Sequence, residues 1–301
     1  MTYILIFISA IILNFFLSKY FIKKNIVDHI NHRSSHSGIA TRSGGTVLVS
    51  IVFIYCTTLY SYGLQPFDYS ILIPILLLYA TGLYDDLYKV NYSLKFIFQI
   101  IVAKYLIDLG YVIDIFSIFG NEFYFSRQIS QIVSIIVYVT IINAYNFIDG
   151  IDSNIHLETI KNLLLILFFF EINPSFFELI IILLLIMLAN LIFNLKSKEK
   201  VFMGDSGSLI LPILLIVLMF QSPFSGDQNI IKYLFLIFLY PITDLIRVVI
   251  IRLKNKKSPF LPDKNHIHHL INNKIESHLK SSIIIFSIVL ILQLTLIFLI
   301  F

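Results

Sequence analysis

Two aspartates stand side by side at 85 and 86, three residues after Gly82, at the end of an apolar run. Adjacent carboxylates are costly beside apolar helix; metal binding or activation of an acidic nucleophile explains them, and a solvated helix end is the plain alternative. A second polar group, Asn143-Ala-Tyr-Asn146-Phe-Ile-Asp149-Gly-Ile-Asp152, repeats every three residues. On a continuing helix that spacing keeps the four polar side chains near one face, and Gly150 is expected to end the helix. Such a stripe calls for a cavity, a polar ligand or a hydrated cation. The third group, Gly204-Asp205-Ser-Gly207-Ser208, reads as a tight turn presenting a carboxylate and free N–H groups at a helix start. That suits an anion or a metal–phosphate complex, although helix capping by Asp205 or Ser206 is the plainer reading. The fourth, Pro262-Asp-Lys-Asn-His266-Ile-His268-His269, follows a basic stretch. Its histidines and lysines suit a diphosphate better than zinc, which usually takes another Cys, His or carboxylate at suitable spacing, and Cys56 is not near in the chain. A fifth segment, from Asn31 through Arg33 and His36 to Arg42 and Gly44-Gly45, is basic and suits phosphate or a membrane anchor.

The elements that must carry these groups are membrane helices. Of 301 residues, 58% are hydrophobic and 13% are charged, against roughly 25% charged in a soluble domain. Apolar runs such as IIILLLIMLANLIF are continuous, so spanning helices fit and alternating barrel strands do not. About ten spans are expected, near 3–21, 46–62, 69–84, 94–109, 129–145, 156–171, 174–194, 207–221, 230–252 and 282–301. The first is read as a span and not a signal peptide, because it lacks a basic start and a small-residue cleavage site. The chain is expected to form one polytopic, all-α membrane domain over 1–301. Cys56, the single cysteine, has no intrachain partner.

Ten spans sort the connections onto two sides. Nineteen of the 22 Lys and Arg residues lie in or beside one set of loops, the exceptions being Lys104, Arg127 and Lys232. All eight histidines and all the clusters above fall on that same side. Positive charge marks the cytoplasmic face, so the polar groups are expected there and both termini outside.

In this order and on one face, the groups resemble the polyprenyl-phosphate N-acetylhexosamine-1-phosphate transferases, glycosyltransferase family 4. The likeness runs from Asp28 to His269. The stretch from Asp28 to Gly44-Gly45 looks like the family's first cytoplasmic loop, Asp85-Asp86 like its acidic pair, NAYNFIDGID like its Asn/Asp motif, FMGDSGS like its metal loop and HIHH like its histidine loop. Ile267 interrupts the histidine run, which resembles the branch using UDP-N-acetylhexosamines, such as undecaprenyl-phosphate GlcNAc-1-phosphate transferases. The runner-up is the peptidoglycan branch that moves phospho-N-acetylmuramoyl-pentapeptide. Lys89, Ser153 and Ile30 depart from the family pattern, where Asp, Gly and Pro are common.

The resemblance implies transfer of a sugar-1-phosphate from a UDP-amino sugar to a polyprenyl phosphate in the plasma (inner) membrane, releasing UMP and starting a surface glycan such as O-antigen or teichoic acid. It implies that Asp205 binds Mg²⁺, with Mn²⁺ as the alternative ion. It gives Asp85, Asp86, His268 and His269 catalytic roles, and it implies that Asn146, Asp149, Asp152, His266 and Arg42 hold substrate. A homodimer is a family-level expectation, and nothing points to nucleic acid. A secondary transporter and a non-catalytic homologue are the rival readings. The first is opposed by the lack of an internal repeat and by polar groups that avoid mid-depth; the second rests on Lys89 and Ser153 alone. Asp244 and Arg247 are read as a local ion pair.

Overall fold

The computed structural model describes residues 2–28, 39–118, 121–196, 198–222, 229–258 and 263–300. His29, Ile30, Asn31, His32, Arg33, His36 and Pro262 lie outside them. The chain is mostly helical. Its helices are α1 (Thr2–Lys23), α2 (Gly44–Ser61), α3 (Leu72–Tyr88), α4 (Tyr92–Asp108), α5 (Arg127–Phe147), α6 (Asn154–Phe169), α7 (Pro174–Asn194), α8 (Asp205–Ser208), α9 (Leu211–Phe220), α10 (Ile230–Ile237), α11 (Leu239–Lys254), α12 (Ile267–Ile275) and α13 (His278–Ile300).

Six helices are long and apolar enough to cross a membrane: Tyr3–Lys23, Gly44–Ser61, Tyr69–Tyr88, Arg127–Phe147, Pro174–Asn194 and His278–Leu299. A seventh span results if α10 and α11, bent by 80°, count as one. The other three expected spans coincide with α4, α6 and the α8–α9 segment, which are shorter. The bend has a local cause. Pro241 lacks an N–H, and its ring displaces the carbonyl four residues earlier. Gln293 of α13 donates to the carbonyls of Leu236 (2.8 Å) and Ile237 (3.2 Å), so the broken turn keeps its partners.

Helix α9 is apolar all round, and every residue from Leu211 to Met219 is buried, so it forms the centre. Helices α1 and α13 turn large apolar side chains outward, among them Phe16, Ile291 and Phe298. That arrangement suits lipid around a bundle. Buried amides join the layers: Asn14 of α1 donates to Asn190 of α7 (2.8 Å), and Asn190 donates to the Gly44 carbonyl of α2 (3.3 Å).

Two short strand pairs modify the all-α expectation. Strands β2 (Ile115–Ile118) and β3 (Asn121–Tyr124) pair antiparallel. Strands β1 (Ala40–Thr41) and β4 (Lys200–Val201) pair parallel, with Ala40 opposite Lys200 and Thr41 opposite Val201. The ladder continues as Phe202 N–H donates to Thr41 (2.8 Å) and Gly44 N–H to Phe202 (3.0 Å). The segment that leads to the Asp205 turn is therefore pinned to residues 41–44.

Candidate active site

Asp205 opens helix α8, a single turn whose entry residue, Gly204, has φ +68°. A Cβ on Gly204 would lie 2.6 Å from Asp86 Oδ2 and 2.9 Å from Arg42 Cβ, so conformation and space both demand glycine there. The turn is capped from another helix. Asp86, its side chain fully buried in α3, accepts the backbone N–H groups of Asp205 and Ser206, each at 3.0 Å. The anion at this helix start is thus a carboxylate of the protein itself.

Cations link the acids. Lys95, in the first turn of α4, bonds Asp85 at 2.7 Å and also Asp205. Arg42 bonds Asp28 at 2.8 Å and Asp86 at 3.4 Å. Burial works against the charge on Arg42, but Asp28, Asp86 and Asp205 outweigh it and raise its pKa. Asn146, near the end of α5, donates to Ser208 Oγ (2.7 Å) and to Asp205 Oδ1 (3.3 Å). A cavity of about 300 Å³ opens beside Arg42 and Asp86 and reaches Lys89, the position that departs from the family pattern.

The Asn/Asp stripe does not continue as one helical face. Helix α5 stops at Phe147, because Asn154 donates to the Ile148 carbonyl at 2.8 Å and Ser153 takes φ +64°. Asn143 is tied instead to Gln99 of α4 (2.7 Å). Asp149 sits in the turn. Burial drives its carboxyl well above the usual range, the charge of Asp205 adds to that, and Arg42 only partly offsets it. Asp149 has no hydrogen-bond partner for its carboxylate among the described residues. Asp152 is committed elsewhere: Lys200 binds it, and His278 Nδ1 lies at 3.2 Å. Burial alone would raise Asp152, but the bonds from His278 and Lys200 hold it below the usual range.

The histidine motif reaches the same turn from the other side. His266 Nδ1 lies 2.8 Å from Asp244, and its ring meets Phe147 at 5.4 Å. His268 is fully buried, and its Nε2 points at Gly150, where an added Cβ would come within 2.2 Å of it. His269 is half-buried. Burial pushes its pKa down to about 4, with His266 and Lys264 adding to the effect, while His268 is driven well below its usual value by burial and both neighbouring histidines. Asp244 and Arg247 do form the expected pair, at 2.8 Å.

The structure therefore gathers Arg42, Asp85, Asp86, Asn146, Asp149 and Asp205 at one end of the bundle, with the histidines behind the Asp149 turn and Asp152 held apart. Sequence reasoning missed Lys95 and Ser208. Lys95 was read only as a boundary charge; its signal was a lysine one turn past the Asn91 cap in an apolar helix. Four carboxylates (Asp85, Asp86, Asp149, Asp205) meet two cations, and one of the four, Asp149, is unpaired among the described residues and destabilised as an anion. Such a set suits a divalent cation. No three His, Cys, Asp or Glu side chains converge into a metal site among the described residues. Mg²⁺ needs no such trio, since it takes one or two carboxylates with waters and phosphate oxygens.

Comparison with known proteins gives the class. The model of "Glycosyl transferase family 4" matches residues 69–222, just over half of the chain. The chain belongs to that family. A "Probable undecaprenyl-phosphate N-acetylglucosaminyl 1-phosphate transferase" of Bacillus subtilis is 28% identical over 299 residues, covering 95% of this chain and 80% of the relative. The "Undecaprenyl-phosphate alpha-N-acetylglucosaminyl 1-phosphate transferase" of Salmonella typhi is 28% identical, covering 88% and 74%. Its Escherichia coli K12 counterpart is 27% identical with the same coverage.

Proposed function

We propose that this chain transfers an N-acetylhexosamine-1-phosphate from a UDP-sugar to a polyprenyl phosphate and releases UMP. The observation that carries the reading is the Asp205 turn, capped by Asp86, bridged to Asp85 by Lys95 and faced by the unpaired Asp149. The named activity of the relatives supports the same reaction. The distribution of Lys and Arg supports a site on the cytoplasmic face of the plasma membrane, where a soluble nucleotide sugar and a lipid acceptor meet.

An oxygen of the lipid phosphate attacks the β-phosphorus of the donor. The new P–O bond forms as the bond from that phosphorus to the bridging oxygen breaks, and UMP departs with that oxygen. Both reactants are anions, so fixed positive charge lowers the barrier. Arg42 and Lys95 supply it, and His269, neutral at pH 7, donates a hydrogen bond to the diphosphate or the sugar. Asp205 and Asp149 would hold Mg²⁺, which supplies charge neutralisation to the diphosphate when bound. Asp85 or Asp86 takes the last proton of the lipid phosphate. Asn146 and Asp149 orient the donor, and Asp152 anchors the turn that carries Asp149. The HIHH motif favours UDP-GlcNAc or a related UDP-N-acetylhexosamine as donor, for a surface glycan.

The test is UMP release by purified protein with Mg²⁺, undecaprenyl phosphate and a panel of UDP-N-acetylhexosamines that includes UDP-N-acetylmuramoyl-pentapeptide. UMP that requires lipid and metal supports the proposal, and the best donor names the sugar. No UMP from folded protein with any donor defeats it.

A further inference from the structure

We propose that Asp244 is a positioning residue: through the histidine motif it holds the turn that presents Asp149. This rests on the transferase reading for its functional consequence, though not for its structural one.

Asp244 is completely buried in α11 and accepts three hydrogen bonds. They come from His266 Nδ1 (2.8 Å), Ile267 N–H (3.0 Å) and Arg247 (2.8 Å). Arg247 also bonds the Asn265 carbonyl, so the segment entering α12 is strapped to α11 at consecutive residues. An isolated ion pair needs none of this. A carboxylate that accepts from the Nδ1 of His266 fixes that ring's tautomer and plane, leaving Nε2 as the nitrogen that faces outward from the pair.

The fixed motif then touches the Asp149 turn on both flanks. The His266 ring meets Phe147, two residues before Asp149. His268 stacks on His266 with centroids 5.6 Å apart and planes 13° apart, and its Nε2 abuts Gly150, one residue after Asp149. Tyr240, also on α11, lies 3.5 Å from His268 Nδ1 and 3.2 Å from Asn154, which caps the same turn. Two contacts straddling an unpaired carboxylate, both traced to α11, make the histidine loop a brace.

The experiment compares backbone amide exchange, by mass spectrometry on the purified full chain, in wild type, Asp244→Asn and Gly150→Ala. Asp244→Asn puts an amide donor against a donor nitrogen of His266, and Gly150→Ala forces His268 off the turn from the opposite side. Exchange across 147–153 should rise about fivefold or more in both variants, and across 265–268 in Asp244→Asn. The kcat for UMP release should fall about tenfold or more in both, with KM for the UDP-sugar within about threefold of wild type. Should Asp244→Asn not fold, His266→Phe removes the same hydrogen bond while keeping a ring on Phe147, and 147–153 should again exchange faster. Release of 265–268 with 147–153 at the wild-type rate overturns the proposal, as does unchanged kcat with a loosened turn. A wild type that makes no UMP defeats the transferase reading, and the exchange comparison then decides the brace by itself.

Discussion

Asp149 and Asp152 share one turn and stand three residues apart, yet their surroundings are opposite. Asp152 is matched by Lys200 and His278, and the match pulls its pKa below the usual range. Asp149 is buried beside Asp205 and Asp86, Arg42 only partly offsets them, and its pKa rises. The chain resolves its own electrostatics where it needs an anchor. It leaves them unresolved at Asp149, where the proposed metal and donor would enter. Strained electrostatics of this kind cluster at functional sites.

The largest expected effect comes from Asp205. Asp205→Asn removes one of the two negative charges that Lys95 bridges and one of two carboxylates toward the metal, and UMP release should fall by about a thousandfold or more with the melting midpoint retained. Near-normal turnover by a folded Asp205→Asn enzyme would falsify the metal assignment. Asp149→Asn comes next, with turnover lower by about a hundredfold. Its stability should move the other way. A carboxyl raised in the folded state stabilises at low pH, and that contribution is lost as pH rises through the raised value. At pH 7.5, well above the carboxylate range of the unfolded chain, the raised carboxyl therefore costs stability, so Asp149→Asn should melt at or above the wild-type temperature. A clear drop in its melting midpoint would mean that Asp149 is paired after all.

Lys200→Met probes the anchor. Removing one partner of a largely buried pair should cost about 1–3 kcal/mol, measured as a lower melting midpoint at pH 7.5. The smallest effect is its pH dependence. Asp152 is depressed in the folded state, so its contribution is present above the ordinary carboxylate range and lost as pH falls through the folded value. The gap between Lys200→Met and wild type should narrow from about pH 5 downward. A gap that stays constant to pH 3 would mean that Lys200 acts through packing alone.

Much of this site was legible in the sequence because its polar residues interrupt long apolar runs. Asp85, Asp86, Asn146 and Asp205 stand out on that ground, and the structure brings all four together. What was not legible depends on where helices stop and on which basic residues turn inward. The i, i+3 spacing from Asn143 to Asp152 pointed to one face or a slow spiral with a helix end at Gly150, but a side-chain cap from Asn154 and a left-handed Ser153 accompany an end at Phe147, which puts Asp149 and Asp152 in the turn. Lys95 and Lys200 look like ordinary boundary lysines, and only tertiary packing sets them against Asp85, Asp205 and Asp152. The count of about ten spans came from apolar runs alone; six helices meet the length for a crossing, or seven with the bent pair. Asp244 was read as one half of an ion pair, because the residues it also holds lie more than twenty positions further along the chain.

The pairing of β1 with β4 has a consequence for how the protein is made. Residues 40–41 leave the ribosome long before residues 200–201 exist to pair with them. A domain is synthesised at about 5–20 residues per second, so the first strand waits on the order of ten seconds for its partner. Seven helices must be placed before the Asp205 turn can be pinned between Thr41 and Asp86. A nascent chain halted between residues 86 and 205 has its acidic pair but no Asp205 turn for that pair to cap, so the two come together only after seven helices have been made.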